Sequence, residues 1–469
     1  MNVAFARNAL YRTALIARGE PVFRLLHRYE DSQWWDSKRL AAFHEEALEG
    51  LLRHAATRTR YYAEAAHRAG LDPARLRAAD LPRFPLLTKV ELIERAPQLR
   101  APTLPGTTSW KITGGSTGVA VRLRKNRGAT AAEQAASWRS YGWYGIRPGD
   151  RQARFWGTPL SGRAALRYRA IDFVLNRERL SAFAFRRADL LTYFERLRRR
   201  RPSWVYGYVS MLVQFAAYCL DEDLPLADLR VAAVVSTSEV LTPGDRALVA
   251  EAFGAPVYNE YGCGEVGPVL YECDRGKLHL MAENIFAELQ PAPTPACPEA
   301  CRLILTDLHN RATPLIRYDI GDHVVPTLPC SCGRGLPAFS AVFGRAYDFV
   351  EAQDGTRFHG EFFMYHLEAA RDRGVPIRQA QFVQDEPDHV LVRIVPAPGY
   401  ETSHGRHLSA MLAANSGGRF RVDATTIDEI PRERSGKLRL IHALRNRLVD
   451  GSPVPDGMRS PREGAESST

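Results

Sequence analysis

The chain has 469 residues, 45% of them hydrophobic and 25% charged, a size and balance that suit two or three globular domains. Its net charge of +10 rests on 63 basic residues, six of which are lysines. The arginines are spread along the whole length, so no basic patch of a nucleic-acid binder forms. No apolar run is long enough to cross a bilayer, and Arg7, Arg12 and Arg18 interrupt the N-terminal segment, so stable membrane insertion and a secretory leader are not expected and the chain reads as cytoplasmic.

In chain order, Leu40 to Gly70 has the apolar spacing of one or two helices and ends at a glycine. Prolines then punctuate L-P-R-F-P-L-L-T-K, and a fresh helix is expected after Thr88, a good N-cap residue. Lys111 to Gly118, K-I-T-G-G-S-T-G, combines glycines with hydroxyls. Such a run can turn sharply and offer backbone N–H groups to phosphate oxygens, although alone it also fits a surface turn. A helix is expected from Thr130 to Tyr144, a strand from Ala153 to Trp156, and helix, strand, helix between Ala188 and Leu229, where Arg198 to Arg201 closes a helix with cations that suit its C-terminal dipole.

Val231 to Glu239 is a β-branched run, followed by a helix near Thr242 and Pro243 and a strand at Pro256 to Tyr258. Apolar strands alternating with helices predict a largely parallel sheet covered on both faces, with ligands at the strand C-terminal ends. From Leu278 to Asp322 strand residues prevail. Glycine and charge gather at Gly344 to Asp348, which predicts a boundary between a domain of residues 1–343 and a smaller α+β domain of residues 344–448. Residues 449–469, rich in Pro, Gly, Ser and Glu, have the composition of a disordered tail.

Seven cysteines in a chain of this length, without a secretory leader, do not suggest a disulfide framework. Cys219 stands apart, and the other six fall between positions 263 and 332.

These pieces together resemble the adenylate-forming acyl-CoA synthetase superfamily, in its phenylacetate–CoA ligase branch and capsular-polysaccharide relatives. The resemblance runs from about Tyr61 to Arg439 through Y-Y-A-E-A-A-H-R-A-G-L, L-P-R-F-P-L-L-T-K, T-G-G-S-T-G, V-S-T-S-E-V-L, Y-N-E-Y-G-C-G-E-V-G-P, P-L-I-R-Y-D-I-G-D, G-R-A-Y-D and R-S-G-K-L-R. It implies an α/β fold, with a large N-terminal domain of mixed and parallel sheets flanked by helices and a small mobile C-terminal α+β domain. It also implies an enzyme that joins a carboxylate to the α-phosphate of ATP, releasing pyrophosphate.

By the same resemblance, Thr113, Gly114, Gly115, Ser116, Thr117 and Gly118 would cradle the β- and γ-phosphates. Tyr261 and Gly262, with Ser238 and Glu239, would flank the adenine, Glu265 would hold Mg2+, and Asp322 would accept from the ribose hydroxyls, assisted by Arg345. Lys437, in S-G-K, would reach the carboxylate and α-phosphate, a task for a compact flexible cation. Four positions depart from the family pattern: Gly114 stands in place of Ser, Ala120 in place of Pro, Gly264 in place of a Thr that meets the α-phosphate, and Tyr347 in place of an acid at the hinge.

Relatives in the capsule branch carry a pattern similar to Glu272-Cys273, Leu278-His279 and Cys330-Ser331-Cys332-Gly333-Arg334. Three thiolates and an imidazole from Cys273, His279, Cys330 and Cys332 would form a closed structural zinc site, with Cys297 and Cys301 as alternative ligands. The acyl acceptor is expected to be CoA. An amine, a hydroxyl or a carrier protein is the alternative, and a non-catalytic nucleotide-binding scaffold is a further one. The acid pocket is expected among Trp143, Trp156 to Pro159, Tyr206 to Ser210 and Thr237, whose aromatic lining suggests a flat or aryl acid.

Overall fold

The structure, a computed structural model, describes residues 3–103, 107–112, 121–156, 162–181, 187–239, 241, 243–292, 298–343, 349–428, 430 and 441–443. The chain opens with α1 (Val3–Ala17) and α2 (Val22–Ser32), followed by α3 (Ser37–Arg58) and α4 (Arg60–Arg68). Asp36 caps α3 by accepting from the Arg39 amide at 2.7 Å, and Thr59 separates α3 from α4. On α3 the residues Leu48, Leu51, Leu52, Ala55 and Ala56 are buried, a stripe at helical spacing that faces the core.

Next come α5 (Lys89–Glu94), α6 (Ala96–Leu99), the hairpin β1 (Thr108–Ile112) and β2 (Arg122–Asn126), and α7 (Arg127–Gly142). Thr88 does cap α5: its hydroxyl accepts from the Glu91 amide at 3.2 Å, and the Glu91 carboxylate accepts from the Thr88 amide at 3.0 Å. This reciprocal capping satisfies two amides that the first turn leaves without helical partners.

Strands and helices then alternate through β3 (Gln152–Trp156), α8 (Gly162–Val174), β4 (Arg177–Ser181), α9 (Arg187–Arg200), β5 (Trp204–Tyr208), α10 (Val209–Asp221), β6 (Val234–Thr237), α11 (Pro243–Phe253) and β7 (Val257–Cys263). A run of shorter connections joins β8 (Gly267–Glu272), β9 (Leu278–Leu280), β10 (Ile285–Pro291), β11 (Cys301–Asp307), β12 (Tyr318–Pro326) and β13 (Ala338–Phe343). Among the described residues these strands form one eleven-stranded sheet in the order β10-β11-β12-β13-β9-β8-β7-β6-β5-β3-β4.

Only the β7 side is parallel. From β8 to β10 every pairing is antiparallel, so the sheet is mixed rather than largely parallel. The reason lies in the connections: helices cross over between β3 and β7, whereas the links after β7 carry no helix, and a link without a crossover returns the chain antiparallel. Strand β7 also runs further than its apolar residues suggest, because Glu260 to Cys263 pair with β8.

Every residue of β5 is buried, as expected for a central parallel strand covered on both faces. One face packs Ala153, Phe155, Val205 and Val234 under α9, α10 and α11, and the other packs Trp204, Tyr206 and Val235 under α1, α2 and α7. A third core joins α3 and α4 to the antiparallel half through Leu51, Tyr62, Leu305 and Tyr318.

Beyond residue 348 lie the hairpin β14 (Phe349–Glu351) and β15 (Arg357–His359), then α12 (Gly360–Asp372), β16 (Ile377–Glu386), β17 (His389–Pro396), α13 (Thr402–Asn415), β18 (Arg421–Thr426) and β19 (Ile441–His442). Strands β18-β17-β16-β19 form a separate sheet over its own core of Phe363, Phe382, Val392 and Leu408. No helix among the described residues is long and apolar enough to cross a membrane.

Candidate functional site

The hairpin of β7 and β8 carries Tyr261, Gly262, Cys263 and Glu265. Tyr261 donates its hydroxyl to Oδ2 of Asp322 on β12 at 2.6 Å, joining two segments 61 positions apart. Asp322 is nearly buried, and so is Glu265 in the turn between the strands. Gly262 lies opposite Pro268 at a break in the β7–β8 register. Ser238 and Glu239 follow β6 directly, and Ser238 holds a left-handed φ of +69° that only a constrained turn imposes on a serine.

Arg317, at φ +53° just before β12, donates to Glu288 and to the carbonyls of Pro82 and Phe84. The Leu87 amide donates to the Arg317 carbonyl at 2.9 Å, and the Asp319 amide donates to Leu87 at 3.0 Å. The proline-rich segment before α5 and the P-L-I-R-Y-D segment thus form one body, which sets Lys89 of α5 at 3.4 Å from Glu265.

Two more lysines approach the same turn. Lys111 on β1 and Lys125 on β2 both pair with Glu133 of α7, Lys111 at 3.1 Å. Lys125 also donates to the Val266 carbonyl at 2.8 Å and lies 3.6 Å from Asp307. Gly267 has φ +106°, and a Cβ there would come within 2.7 Å of the Glu133 carboxyl carbon. A glycine is therefore required for the hairpin to close over this acid.

Burial would raise the Glu133 carboxyl, but the fields of Lys111 and Lys125 overcome it and hold the group below its ordinary value. Burial pulls the Lys111 ammonium down, with Lys125 adding repulsion, whereas Glu133 and Asp307 more than offset burial for Lys125 and raise it. Cys263 is pushed up to about 12, by burial first and by Glu265 next, so it lines the site as a neutral thiol.

Of the residues that the motifs single out, Tyr261, Gly262, Glu265 and Asp322 come together on the β7–β8 hairpin and β12, with Ser238 and Glu239 at the end of the adjacent β6. The loop Thr113 to Gly118, with Ala120, and Arg345, Tyr347 and Lys437 lie outside the described residues. Motif reading did not single out Lys89, Lys125 or Glu133. The pointer was in the composition: in a chain with six lysines, three of them surround residues 263–267.

The indole N–H of Trp143 donates to Gln33 at 2.7 Å and its ring meets His279 edge-on, which sets it beside the cysteine cluster.

That cluster brings one ligand atom each from Cys273, His279, Cys330 and Cys332 within 4.8 Å of one another. The Sγ atoms of Cys273 and Cys330 are 3.6 Å apart, and Sγ of Cys332 is 3.3 Å from Nε2 of His279. With Zn–S bonds of about 2.3 Å, tetrahedral geometry separates two sulfurs by about 3.8 Å, so the cluster has the dimensions of a zinc site. Nδ1 of His279 faces the Leu336 carbonyl at 3.2 Å, an arrangement that leaves Nε2 as the ligand atom. Burial, helped by nearby arginines, pulls the imidazole down to about 4, so it is neutral, as a metal ligand must be. Cys301 is outside the cluster, on β11, and Cys297 lies outside the described residues.

The large mixed sheet and the separate C-terminal sheet define the class: the fold is that of the acyl-CoA, adenylate-forming ligases. The chain is similar in structure to 2-hydroxyisobutyryl-CoA ligase in complex with 2-HIB-AMP and CoA in the thioesterification state, at a TM-score of 0.58, 19% identity, and coverage of 90% of this chain and 96% of that one. The open conformation of that ligase matches at a TM-score of 0.55, with 19% identity over 88% of this chain and 94% of that one. More particularly, residues 356–443 match the family described as the CapK C-terminal domain. The chain is also 28% identical over 225 residues to Protein CapK of Staphylococcus aureus, 47% of this chain and 48% of that protein. That match spans about half the length of the curated relative.

Proposed function

We propose that the protein is an ATP-dependent, AMP-forming acid ligase, and that the acyl group passes to CoA. The observation that carries this reading is the Tyr261–Asp322 hydrogen bond beside the buried Glu265, in a fold of this class. A planar phenol held by a carboxylate at a strand end suits an adenosine: the ring offers a face to the base, and the acceptor-only carboxylate suits the ribose hydroxyls.

In the first half-reaction, a carboxylate oxygen of the acid bonds to the α-phosphorus while the bond to pyrophosphate breaks. In the second, the thiolate of CoA attacks the acyl carbon and AMP departs with the electron pair. Glu265 would offer Mg2+ a hard, buried oxygen, and the ion when bound would neutralise phosphate charge. Lys89, 3.4 Å from Glu265, adds positive potential at the same place. Lys437, Arg345 and residues 113–118 take the α-phosphate, hinge and triphosphate roles that the motif resemblance assigns to them. The division at residues 343 and 344 then makes 344–448 the mobile domain. Cys273, His279, Cys330 and Cys332 would hold a zinc ion whose role would be structural, because four protein ligands would leave no position open for water.

The test is acid-dependent ATP–pyrophosphate exchange over a panel of carboxylic acids, followed by CoA and amines as acceptors. Exchange should require an acid and collapse in Lys437→Ala. Failure of exchange with every acid, together with no ATP binding by calorimetry, overturns the reading.

A further inference from the structure

Glu260, next to Tyr261, points to the opposite face of the sheet, where α7 crosses β3, β5 and β7. A cavity of about 210 Å³ lies there, closed at one side by Tyr11 of α1. It is smaller than the 300 to 1,000 Å³ typical of sites for drug-sized ligands, so it suits a small group or the end of a molecule held elsewhere.

Aromatic rings line it together with four charged side chains, those of Asp150, Arg154, Arg177 and Glu260. Glu260 accepts from the hydroxyls of Tyr141 and Tyr206, each at 3.0 Å. The Arg154 guanidinium stacks over the rings of Trp156 and Tyr206, 4.5 and 4.4 Å from their centroids. Its Nε–H is buried and has no hydrogen-bond partner among the described residues, and the same holds for the indole N–H of Trp204, a residue 1% exposed. Both residues line the cavity. Buried donors without acceptors are rare and costly, and two beside one cavity indicate an acceptor that arrives from outside.

The strand register ties this cavity to the cleft through Glu260: Tyr208 at the end of β5 pairs with Thr237 at the end of β6, and Thr237 pairs with Glu260, which lines the cavity. An acid seated at the ends of β5 and β6 therefore has the cavity along its α7 side. We propose that this cavity holds the distal end of the acid, and that the acid carries there a hydrogen-bond-accepting oxygen, as a hydroxyl, carbonyl or second carboxylate, received by Arg154 and Trp204. The inference rests on the acid-activation reading and names its substrate class: an oxygenated acid, in place of a purely hydrocarbon or aryl one. Burial raises the Glu260 carboxyl despite its two tyrosine partners, which weakens its anionic competition for Arg154.

Acid-dependent ATP–pyrophosphate exchange by the full chain tests this with matched acids: para-toluate, para-hydroxybenzoate and terephthalate in one set, and pentanoate and glutarate in another. The oxygenated members should exceed their apolar partner in kcat/KM by about tenfold or more, since a site built to hydrogen-bond an oxygen discriminates against the analogue that lacks it. Hydroxyl against carboxylate within the first set separates the two oxygen sources. In Arg154→Met the preference should fall to about threefold or less, with ATP binding retained. Trp204→Phe, which removes only the N–H, should lower it in the same sense and serves if the arginine variant does not fold. Faster exchange with the apolar acids, or a preference unchanged in both variants, overturns this inference alone. No exchange with any acid overturns the acid-activation reading and this inference with it.

Discussion

Replacing Glu133 by glutamine removes the one carboxylate shared by Lys111 and Lys125 beneath the β7–β8 hairpin. The two lysines do not lose equally. Lys125 keeps Asp307 at 3.6 Å and the Val266 carbonyl at 2.8 Å, whereas Glu133 is the acid within ion-pair distance of Lys111 among the described residues. Breaking a fully buried pair by removing one partner costs about 3 to 5 kcal/mol. The Lys111 side chain is 33% exposed, and solvent screens its half of the pair, so the expected loss is about 2 to 4 kcal/mol.

The pH dependence carries a sign. Because the Glu133 carboxyl is held below its ordinary value in the folded protein, its contribution is fully present above the ordinary carboxylate range and is lost as pH falls through the depressed value. Glutamine has no such dependence. Calorimetric melting of both proteins should therefore show the variant unfolding at a lower temperature near pH 7, with the gap narrowing as pH falls below about 4. An unchanged melting temperature at pH 7, or a gap that does not narrow in acid, refutes the role given to Glu133.

Tyr261→Phe removes the 2.6 Å hydrogen bond to Asp322; bonds to charged groups contribute about 1.5 to 3 kcal/mol to stability, so the melting temperature should fall, and kcat/KM for ATP in pyrophosphate exchange should drop by about tenfold or more as Asp322 loses the partner that orients it. Cys332→Ser removes one of the four clustered ligands, and elemental analysis of protein purified without chelator should show zinc near one per chain in the wild type and much less in the variant. Gly335→Ala places a methyl 1.7 Å from the Trp35 carbonyl oxygen, an overlap that backbone must move to relieve. It should destabilise by about 1 to 3 kcal/mol, read as a lower melting temperature. Thr88→Ala removes the α5 cap and should cost about 1 kcal/mol, measured the same way.

Local signals in the sequence were sufficient where one residue type performs a local task. Thr88 caps α5 because a hydroxyl one residue before a helix accepts a free amide, and the stripe on α3 is buried because its spacing matches the helical turn. The β-branched run of β6 became a central strand for an equally local reason. Ordered motifs also placed the chain in its fold class, since each marks a turn or strand end whose backbone needs those residues.

Tertiary structure decided what depends on distant partners. The sheet turned antiparallel after β7 because β8 and its successors are joined without crossover helices, which residue patterns of strand type do not reveal. Trp143 stands beside the cysteine cluster because Gln33 and His279 hold it there. Lys111 and Lys125 meet Glu133, and Arg154 and Trp204 converge with Glu260 on one cavity, through packing of elements that for Arg154 and Glu260 are more than a hundred residues apart. A charge or a donor shows its type in the sequence, but its partner, and so its energy and its chemistry, exists only once the chain has folded.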